Sequence, residues 1–423
     1  MSKLKIQVYE LAKGMYVSEL DRPWEETRFL FQGFRITNDQ EIDSLQKNCE
    51  FVYVDEDKST IDLAANLRTI KPSPGGSKIR NILKTLHTIN VKHKTHQVQF
   101  ETEFPQAKAT YLDACQKVEV ILGDLRLGKS LDVLSVKTVI RELTGSIFRN
   151  PDALKLLCVL QERNEKASSH ALHVCVLTLA FAYYLDFKKE VIQQLGIGAL
   201  LHDIGEIKLP QALFWKSSLY NDDEKNLVKK HVEYGVAIIK ETNGLPPMVL
   251  DIVKDHHERL NGTGYPRQAR GSEINYNAML VAIVDVYDSV TKGYEGKTAI
   301  SCTDALKSLY DWRDELFQGE LIEHFIQCLG VYPIGSVVKL NSGEVGIVIT
   351  FDDCSRLTPR VMLLLDKSRK QYDKPRILDL SRFRDSDDKF IYDIECVVNP
   401  DDYGIDIRRH ILRELYVQNV VNQ

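Results

Sequence analysis

The pattern of apolar and polar residues changes twice along the chain. Residues 1–55 contain short alternating segments separated by turn residues, namely KIQVYEL, GMYVSEL, FLFQGFRIT and FVYVDED. A period of two residues is typical of half-buried strands. We therefore predict a small β-rich (α+β) module over residues 1–70, with one helix near Asp39–Lys47.

From Phe104 to about Leu329, apolar residues recur instead at helical spacing, which predicts amphipathic helices at Leu131–Phe148 and Leu154–Glu162. The most apolar segment, Ala171–Leu185, is shorter than the roughly 20 residues that a membrane span requires. We interpret it as a buried helix and predict no membrane span. A helical domain is predicted over residues 104–330.

The flanking segments differ from this helical block. Residues 71–78 read KPSPGGSK, and Lys71–His96 contains basic but no acidic residues. We predict a linker over 71–103, a solvated tether, with a phosphate-contacting arm as the alternative. Short β segments follow Gly330 and predict a β-rich tail over 331–423. The predicted fold class is mainly α, a central helical bundle flanked by two small β modules.

Composition narrows the function classes. The 423 residues are 43% hydrophobic and 27% charged, as in globular proteins. A net charge of −5 argues against binding to DNA or RNA polymers, which favours a basic surface. The first residues lack a secretory signal, and the eight cysteines include no C-x-x-C pair. We expect reduced thiols and a cytoplasmic location.

The candidate chemistry lies in the helical block, where six of the eleven histidines fall between residues 170 and 257. Imidazoles and carboxylates hold divalent metals at hydrolytic centres. The candidate metal ligands are His170, His202, Asp203, His231, His256, His257 and Asp285. Because the set contains no thiolate, it favours Fe or Mn over a closed structural zinc site.

Two pairs of neighbouring residues carry this prediction. His202 and Asp203, if helical, point about 100° apart, so the imidazole can bind one metal while the carboxylate bridges to the next. By the same argument, His256 and His257 suit two different metals. Gly205 removes side-chain bulk beside the ions.

Each of the remaining candidate residues has its own local sequence context. His170 is predicted to be the first residue of the apolar helix, whereas His173, one turn on, is interpreted as a core residue. His231 alone would be typical of a surface histidine. Asp285 lies in the apolar run LVAIVDVYDSV, where a carboxylate is costly unless it is paired or metal-bound.

Two metals can hold a bridging hydroxide and stabilise charge on phosphorus and on the leaving oxygen, which predicts in-line hydrolysis of a phosphate ester. His202 and Asp203 are the candidate catalytic residues. The segment GTGYP at 262–266 is a turn signal. Its glycines would let the backbone approach a ligand, and Tyr265 could stack on a flat group.

These residues resemble the HD-GYP family of HD-type phosphohydrolases. The motifs are HDIG at 202–205, HHE at 256–258, GTGYP at 262–266 and DVYDSVT at 285–291. The segments GMYV and LDRPW near the start resemble a domain of unknown function found ahead of this module. The resemblance implies an HD-type bundle, seven metal ligands as above, and hydrolysis of cyclic di-GMP to pGpG or GMP. It places Gly264, Tyr265, Asp288 and Lys297 near the substrate or in the signature loop.

The chain departs from the family pattern at three places. Glu206 follows HDIG where the family usually has Lys, so a cation near phosphate is exchanged for a carboxylate or for another metal ligand. Lys166 stands four residues before His170, where three-metal members carry Glu. We therefore expect two metals, with a third as the alternative. The tripeptide at 294–296 reads YEG, so one Arg phosphate clamp is missing.

The resulting hypothesis is a bimetal cyclic-di-GMP phosphodiesterase, with the β modules as sites for signalling-protein partners. One alternative is a low-activity or inactive effector that binds cyclic di-GMP or a partner protein. Another is the same chemistry on a different cyclic dinucleotide.

Overall fold

The computed structural model describes residues 3–59 and 96–411, with gaps at 9–10, 12, 22–33, 37–38, 50, 56–57, 161–166, 215–219, 294–298, 353–354 and 385–390. Lys166, Lys297 and the tripeptide at 294–296 lie outside the described residues, as does most of the predicted linker. Contacts divide the chain into two units, Met1–Lys92 and His93–Gln423. Each unit is described by itself.

The N-terminal unit is a four-stranded antiparallel sheet with one helix. Its strands are β1 (Lys3–Gln7), β2 (Tyr16–Leu20), β3 (Phe34–Arg35) and β4 (Phe51–Asp55), in the order β1-β4-β2-β3. Helix α1 (Asp39–Asn48) confirms the predicted helix. Val52 and Val54 are fully buried while Phe51 and Tyr53 are half-buried, as the alternating pattern requires.

The second unit begins with a helical block that confirms the predicted bundle. Its helices are α2 (Phe100–Arg126), α3 (Val133–Arg149), α4 (Pro151–Leu160), α5 (Ala167–Tyr184), α6 (Lys189–Leu201), α7 (Gln211–Phe214), α8 (Asp222–Lys229), α9 (His231–Glu241), α10 (Pro247–Asp255), α11 (Tyr276–Lys292), α12 (Cys302–Asp311) and α13 (Gly319–Leu329).

Capping explains where the two predicted amphipathic helices begin. Helix α3 was predicted from Leu131, but the Asp132 side chain accepts hydrogen bonds from the backbone of Leu134 and Ser135, so the helix starts at Val133. Helix α4 begins earlier than predicted because Pro151, which lacks an N–H, is suited to a first helical position.

Helix α5 forms the centre of the bundle. Nearly every side chain from Ala171 to Tyr183 is buried, because α2, α3, α4, α6, α11 and α13 all pack against this helix. The predicted buried helix is therefore confirmed. Within the described part of the chain, no helix has the length and apolar character needed to cross a membrane.

A five-stranded antiparallel sheet completes the second unit. Its strands are β5 (Val337–Leu340), β6 (Val345–Asp352), β7 (Ser355–Leu365), β8 (Gln371–Asp379) and β9 (Ile394–Val397), in the order β8-β7-β6-β5-β9. Strands β5 and β9 pair although they are the first and last of the sheet in the chain. The predicted β-rich C-terminal region is confirmed.

This sheet is fastened to the helical bundle by a buried carboxylate. Asp152 of α4 accepts hydrogen bonds from Thr350 Oγ1 at 2.8 Å and from the backbone N–H of Phe351 at 3.0 Å. Its other oxygen lies 2.6 Å from Lys155 Nζ, and both side chains are buried. A second ion pair joins Arg360 of β7 to Glu101 of α2 at 2.6 Å. The region predicted as a tail is therefore packed against the helices.

We predict that Asp152→Ala lowers the free energy of unfolding by about 3–5 kcal/mol, because it leaves the Lys155 ammonium and the Phe351 N–H buried without their partner. Urea unfolding followed by circular dichroism measures this effect. The matched control is Asp124→Ala, which removes an exposed pair with Lys129 and should cost less than about 1 kcal/mol. Equal losses in the two variants would contradict the prediction.

Candidate metal centre

The seven predicted ligands lie together, and four of them lie where helices end. His202 directly follows α6, and Asp203 precedes a short 3-10 helix at Ile204–Lys208. His256 and His257 directly follow α10. The two pairs were predicted to be helical, but each stands in the turn beyond a helix, where backbone direction changes.

The other three ligands lie within helices. His231 is the first residue of α9 and is 2% exposed, so it is a buried residue and not a surface histidine. Asp285 lies in the middle of α11 and is 4% exposed. His170 stands in the first turn of α5, which begins at Ala167 and not, as predicted, at His170 itself.

The ligand atoms form two groups that share one carboxylate. One group contains His170, His202, Asp203 and Asp285, and the other contains Asp203, His231, His256 and His257. Within each group the ligand atoms lie within 4.8 Å of one another, which suits a central ion with bonds of roughly 2 Å. His256 and His257 fall in the same group, so the expectation that they serve different metals does not fit this geometry.

The two oxygens of Asp203 face the two groups separately. Oδ1 lies 3.2 Å from both His231 Nε2 and His256 Nε2. Oδ2 lies 3.1 Å from His202 Nε2 and 3.8 Å from His170 Nε2. The Asp203 carboxylate thus lies between the two groups of candidate ligands, and its role as a bridging ligand stays a prediction.

Backbone carbonyls orient three of the imidazoles. Nδ1 of His202 lies 2.8 Å from the Ala199 carbonyl, and Nδ1 of His231 lies 2.7 Å from the Val228 carbonyl. Nδ1 of His256 lies 3.0 Å from the Val253 carbonyl. A carbonyl can only accept, so each Nδ1 carries a proton, and Nε2 is the nitrogen that can bind a metal once it is deprotonated.

His170 is oriented by a side chain instead. Its Nδ1 lies 2.9 Å from Asp288 Oδ2, while its Nε2 lies 3.1 Å from Asp285 Oδ1. Asp288 is buried and also lies 2.9 Å from Lys292 Nζ. This position favours a role for Asp288 in orienting His170, behind the ligand, rather than direct contact with a substrate.

His173 belongs to the core, as predicted. It is 1% exposed, its ring stacks on Tyr111, and it is in neither ligand group. Its Nδ1 is 3.7 Å from Asp288 Oδ1, so it lies behind the site on the same side as Lys292.

The signature loop positions His257. The Tyr265 ring stacks on the His257 ring with centroids 4.5 Å apart and an interplanar angle of 26°. Glu258, which is buried, accepts hydrogen bonds from the backbone N–H groups of Arg267 and Ala269 and so holds the loop. A side chain at Gly264 would collide with the His257 carbonyl. The absence of a side chain at Gly264 therefore lets the loop pack closely against the candidate ligand His257.

Gly205 has a similar role beside His231. A side chain there would collide with the backbone carbonyl of His231 and lie 2.5 Å from the backbone nitrogen of Gly235. The residue permits the turn after Asp203 to pack directly on α9, which fixes His231 against Asp203. Its absence of bulk thus serves backbone packing rather than room for ions.

Burial and mutual contacts shift the pKa values of the carboxylates and imidazoles of the centre in different directions. Burial opposes the charged form of Asp203, but the charge of His202 and hydrogen bonds with His202, His231 and His256 hold its pKa well below the usual range. Burial, reinforced by His256 and His231, keeps the pKa of His257 well below its ordinary value, so this ring is neutral and able to ligate. Burial would lower the pKa of His170, yet its bonds to Asp285 and Asp288 raise it to about 10.

Glu206 borders the centre without joining either ligand group of the described residues. Burial, together with the nearby charge of Asp203, raises its pKa to about 7. At neutral pH this carboxyl group can therefore hold a proton beside the site. We considered Glu206 as an alternative further metal ligand, but its carboxyl group is not among the ligand atoms of either group.

Sequence models of known families match most of the chain. A domain of unknown function, DUF3391, matches residues 3–136, and the HD domain matches residues 157–321, which include all seven ligand residues. The helical block thus contains a segment that matches the HD domain. The resemblance of its motifs to HD-GYP members, with a domain of unknown function ahead of them, is confirmed.

Curated relatives of this HD-domain protein include the cyclic di-GMP phosphodiesterase PA4108 of Pseudomonas aeruginosa. The two are 28% identical over 385 residues, 90% of each chain. The 3'3'-cGAMP-specific phosphodiesterase 2 of Vibrio cholerae is 24% identical over 46% of this chain, which spans only 34% of that relative. Among solved structures, Bd1817, an HDG"Y"P protein from Bdellovibrio bacteriovorus, has a TM-score of 0.46 at 20% identity, covering 78% of this chain and 99% of that one.

Several residues that build the site were not identified from the sequence. Asp255 binds the Arg267 guanidinium at 2.8 Å, and Glu258 pins the loop backbone. The sequence signal is that Asp255 and Glu258 flank the HH pair at 256–257. Both residues are buried in the structure. The predicted substrate contact Lys297 lies outside the described residues.

We predict that Asp288→Asn weakens metal binding about 10- to 100-fold, since the amide lacks the charge that strengthens the hydrogen bond to His170. Competition with a chromogenic chelator measures the affinity. Asp251→Asn, which alters a carboxylate bonded to the Asn275 side chain, is the control and should bind metal as the parent does. Unchanged affinity in Asp288→Asn would show that the Nδ1 bond is dispensable.

Proposed function

We propose that the chain is a metal-dependent phosphodiesterase that hydrolyses cyclic di-GMP to pGpG, GMP or both. The observation that carries the proposal is the pair of four-ligand groups joined by Asp203. The similarity to PA4108 over 90% of both chains supports the substrate. We further propose two divalent ions, Fe or Mn, held by the seven predicted ligands.

The donor set fits such ions. His231 Nε2 and His256 Nε2 lie 3.4 Å apart in a buried site, and both face Asp203 Oδ1 at 3.2 Å. A bound cation would satisfy these two nitrogens and the carboxylate together. When bound, two divalent ions would supply Lewis-acid stabilisation of the phosphate and lower the pKa of a water.

The chain's own residues would hold this arrangement rigid. Asp203 spans the two groups, and the backbone carbonyls behind three imidazoles fix which nitrogen faces the centre. Asp288 does the same for His170. Because the orienting partners are buried backbone and carboxylate groups, little reorganisation is needed when a phosphate diester binds.

The low-activity effector remains the rival hypothesis. Glu206 favours it, since this carboxylate would repel a phosphate when ionised. The completeness of both ligand groups favours the enzyme. The sequence similarity to a 3'3'-cGAMP-specific phosphodiesterase makes that cyclic dinucleotide the second substrate to test.

The cytoplasm is the proposed location, and signalling proteins are the proposed partners of the two β modules. Seven cysteines in the described part of the chain form no disulfide, which supports a reducing compartment. The domain limits proposed are 1–70, 104–330 and 331–423, with a linker at 71–103 between the first two. Helix α2 begins at Phe100, so the last four residues of that linker are helical.

We predict that the metal-loaded protein releases pGpG or GMP from cyclic di-GMP, and that Asp203→Ala reduces kcat at least about 1,000-fold because both metal groups lose their shared ligand. Product chromatography, with metal analysis of anaerobically purified protein, measures both properties. Equal background rates in the two proteins would reject the enzyme. Hydrolysis of 3'3'-cGAMP alone would change the substrate but preserve the chemistry.

Glu206→Lys tests the departure after the HDIG motif. We predict a lower KM for cyclic di-GMP, because an ammonium replaces a carboxyl group beside the phosphate. Glu206→Gln is the matched control, since it removes the negative charge without adding a cation, and its KM should fall less. An unchanged or higher KM in Glu206→Lys would contradict the prediction.

A further inference from the structure

The charge of the centre calls for an additional cation if the substrate is a cyclic dinucleotide. Asp203 and Asp285 place two carboxylates among the candidate ligands, and they offset half of the charge of two divalent ions. A cyclic dinucleotide carries two phosphodiesters, each with one negative charge. Only one can occupy the reacting position, so the other needs a positive partner elsewhere.

Most cations close to the signature loop already have partners. The Lys292 ammonium is 2.9 Å from Asp288, and the Arg267 guanidinium is 2.8 Å from Asp255. Arg259 donates from Nη1 to the carbonyls of His256 and Glu258 and lies over the Phe317 ring. Each of these three groups is committed to holding the protein together.

Lys229 differs from these cations. It is the last residue of α8, two positions before the ligand His231, and its side chain is exposed. Its Nζ lies 5.3 Å from the centroid of the Tyr265 ring. No carboxylate in the described ranges forms an ion pair with it. The ammonium is therefore held near the site by an aromatic ring and remains open to an anion.

The position of Lys229 fits a second phosphate. Tyr265 stacks on His257, and the two centroid distances place Lys229 Nζ within about 10 Å of the His257 ring centroid. Lys229 therefore lies beside the candidate ligand His257, on the side where Tyr265 stacks. A Lys ammonium acts on phosphate as a point charge with three donors.

We propose that Lys229, positioned by Tyr265, forms a subsite that binds the non-reacting phosphate of a cyclic dinucleotide at the rim of the metal centre. The subsite rests on the proposed function, because it assigns a contact to that substrate. The subsite would supply a positive charge for a dianionic ligand in a chain that has Glu206 where the family usually has a lysine.

The experiment compares two substrates in matched variants. Cyclic di-GMP carries a second phosphate, whereas bis(p-nitrophenyl) phosphate carries one phosphodiester only. We expect Lys229→Ala to raise KM for cyclic di-GMP about tenfold with kcat within twofold, the pattern of lost uniform binding. The ratio of kcat/KM for cyclic di-GMP to that for bis(p-nitrophenyl) phosphate should fall about tenfold.

Two further variants control the result. Lys229→Arg keeps the cation and should restore most of the ratio. Lys230→Ala removes the adjacent exposed lysine, which has no ring contact with Tyr265 in the described structure, and should leave the ratio at the parent value. Metal content is measured in every variant, and it should stay equal to that of the parent protein.

The possible results test the subsite and the proposed function separately. A parental ratio in Lys229→Ala, or an equal fall in Lys230→Ala, overturns the subsite. Loss of metal in Lys229→Ala also overturns it, because the defect would then arise at the ligands. If the parent protein hydrolyses bis(p-nitrophenyl) phosphate but neither cyclic dinucleotide, the proposed function fails on its own.

Discussion

The site depends on the contacts of the Asp203 carboxylate with both groups of candidate ligands. Its two oxygens face different sets of imidazoles, at 3.2 Å and 3.1 Å from the nearest nitrogens. A carboxylate can serve two cations because its charge is spread over two oxygens, whereas an imidazole presents one lone pair. Without this residue the remaining ligands divide into two incomplete sets that have no common atom. The proposed two-metal centre would therefore depend on one side chain.

The fold holds Asp203 through helix ends. Helices α6 and α10 both stop at the site, and each is followed by an adjacent pair of ligands. The last carbonyls of a helix have no intrahelical partner, and here they accept from the imidazole Nδ1 atoms of His202 and His256. The carbonyls left unpaired at these helix ends therefore orient the imidazoles. Close packing at Gly205 and Gly264 brings the following turns against the same ligands.

Much of the fold and the ligand set could be predicted from the sequence. Periodicity identified the helical bundle and both β modules, and residue chemistry identified seven candidate ligands that the structure brings together. The pairing of His256 with His257 in one group was not predictable, because the argument assumed a continuous helix and α10 ends at Asp255. Orientation beyond a helix end depends on tertiary contacts, here the stacking of Tyr265 on His257.

Long-range contacts account for the remaining differences. The family resemblance placed Asp288 near the substrate, whereas in the structure it contacts His170, which is 118 residues away in the chain. Asp152 gave no sequence signal, since its partners Thr350 and Phe351 lie in the distant C-terminal sheet. Local patterns specify which residues are buried, whereas the identity of a buried polar partner requires the assembled fold.

A crystal structure of the metal-loaded protein, with anomalous scattering recorded at the metal edge, tests the central claim most directly. The account predicts two anomalous peaks about 3.5–4 Å apart, each bonded to a different oxygen of Asp203. One peak, or two peaks of which only one contacts Asp203, would contradict it.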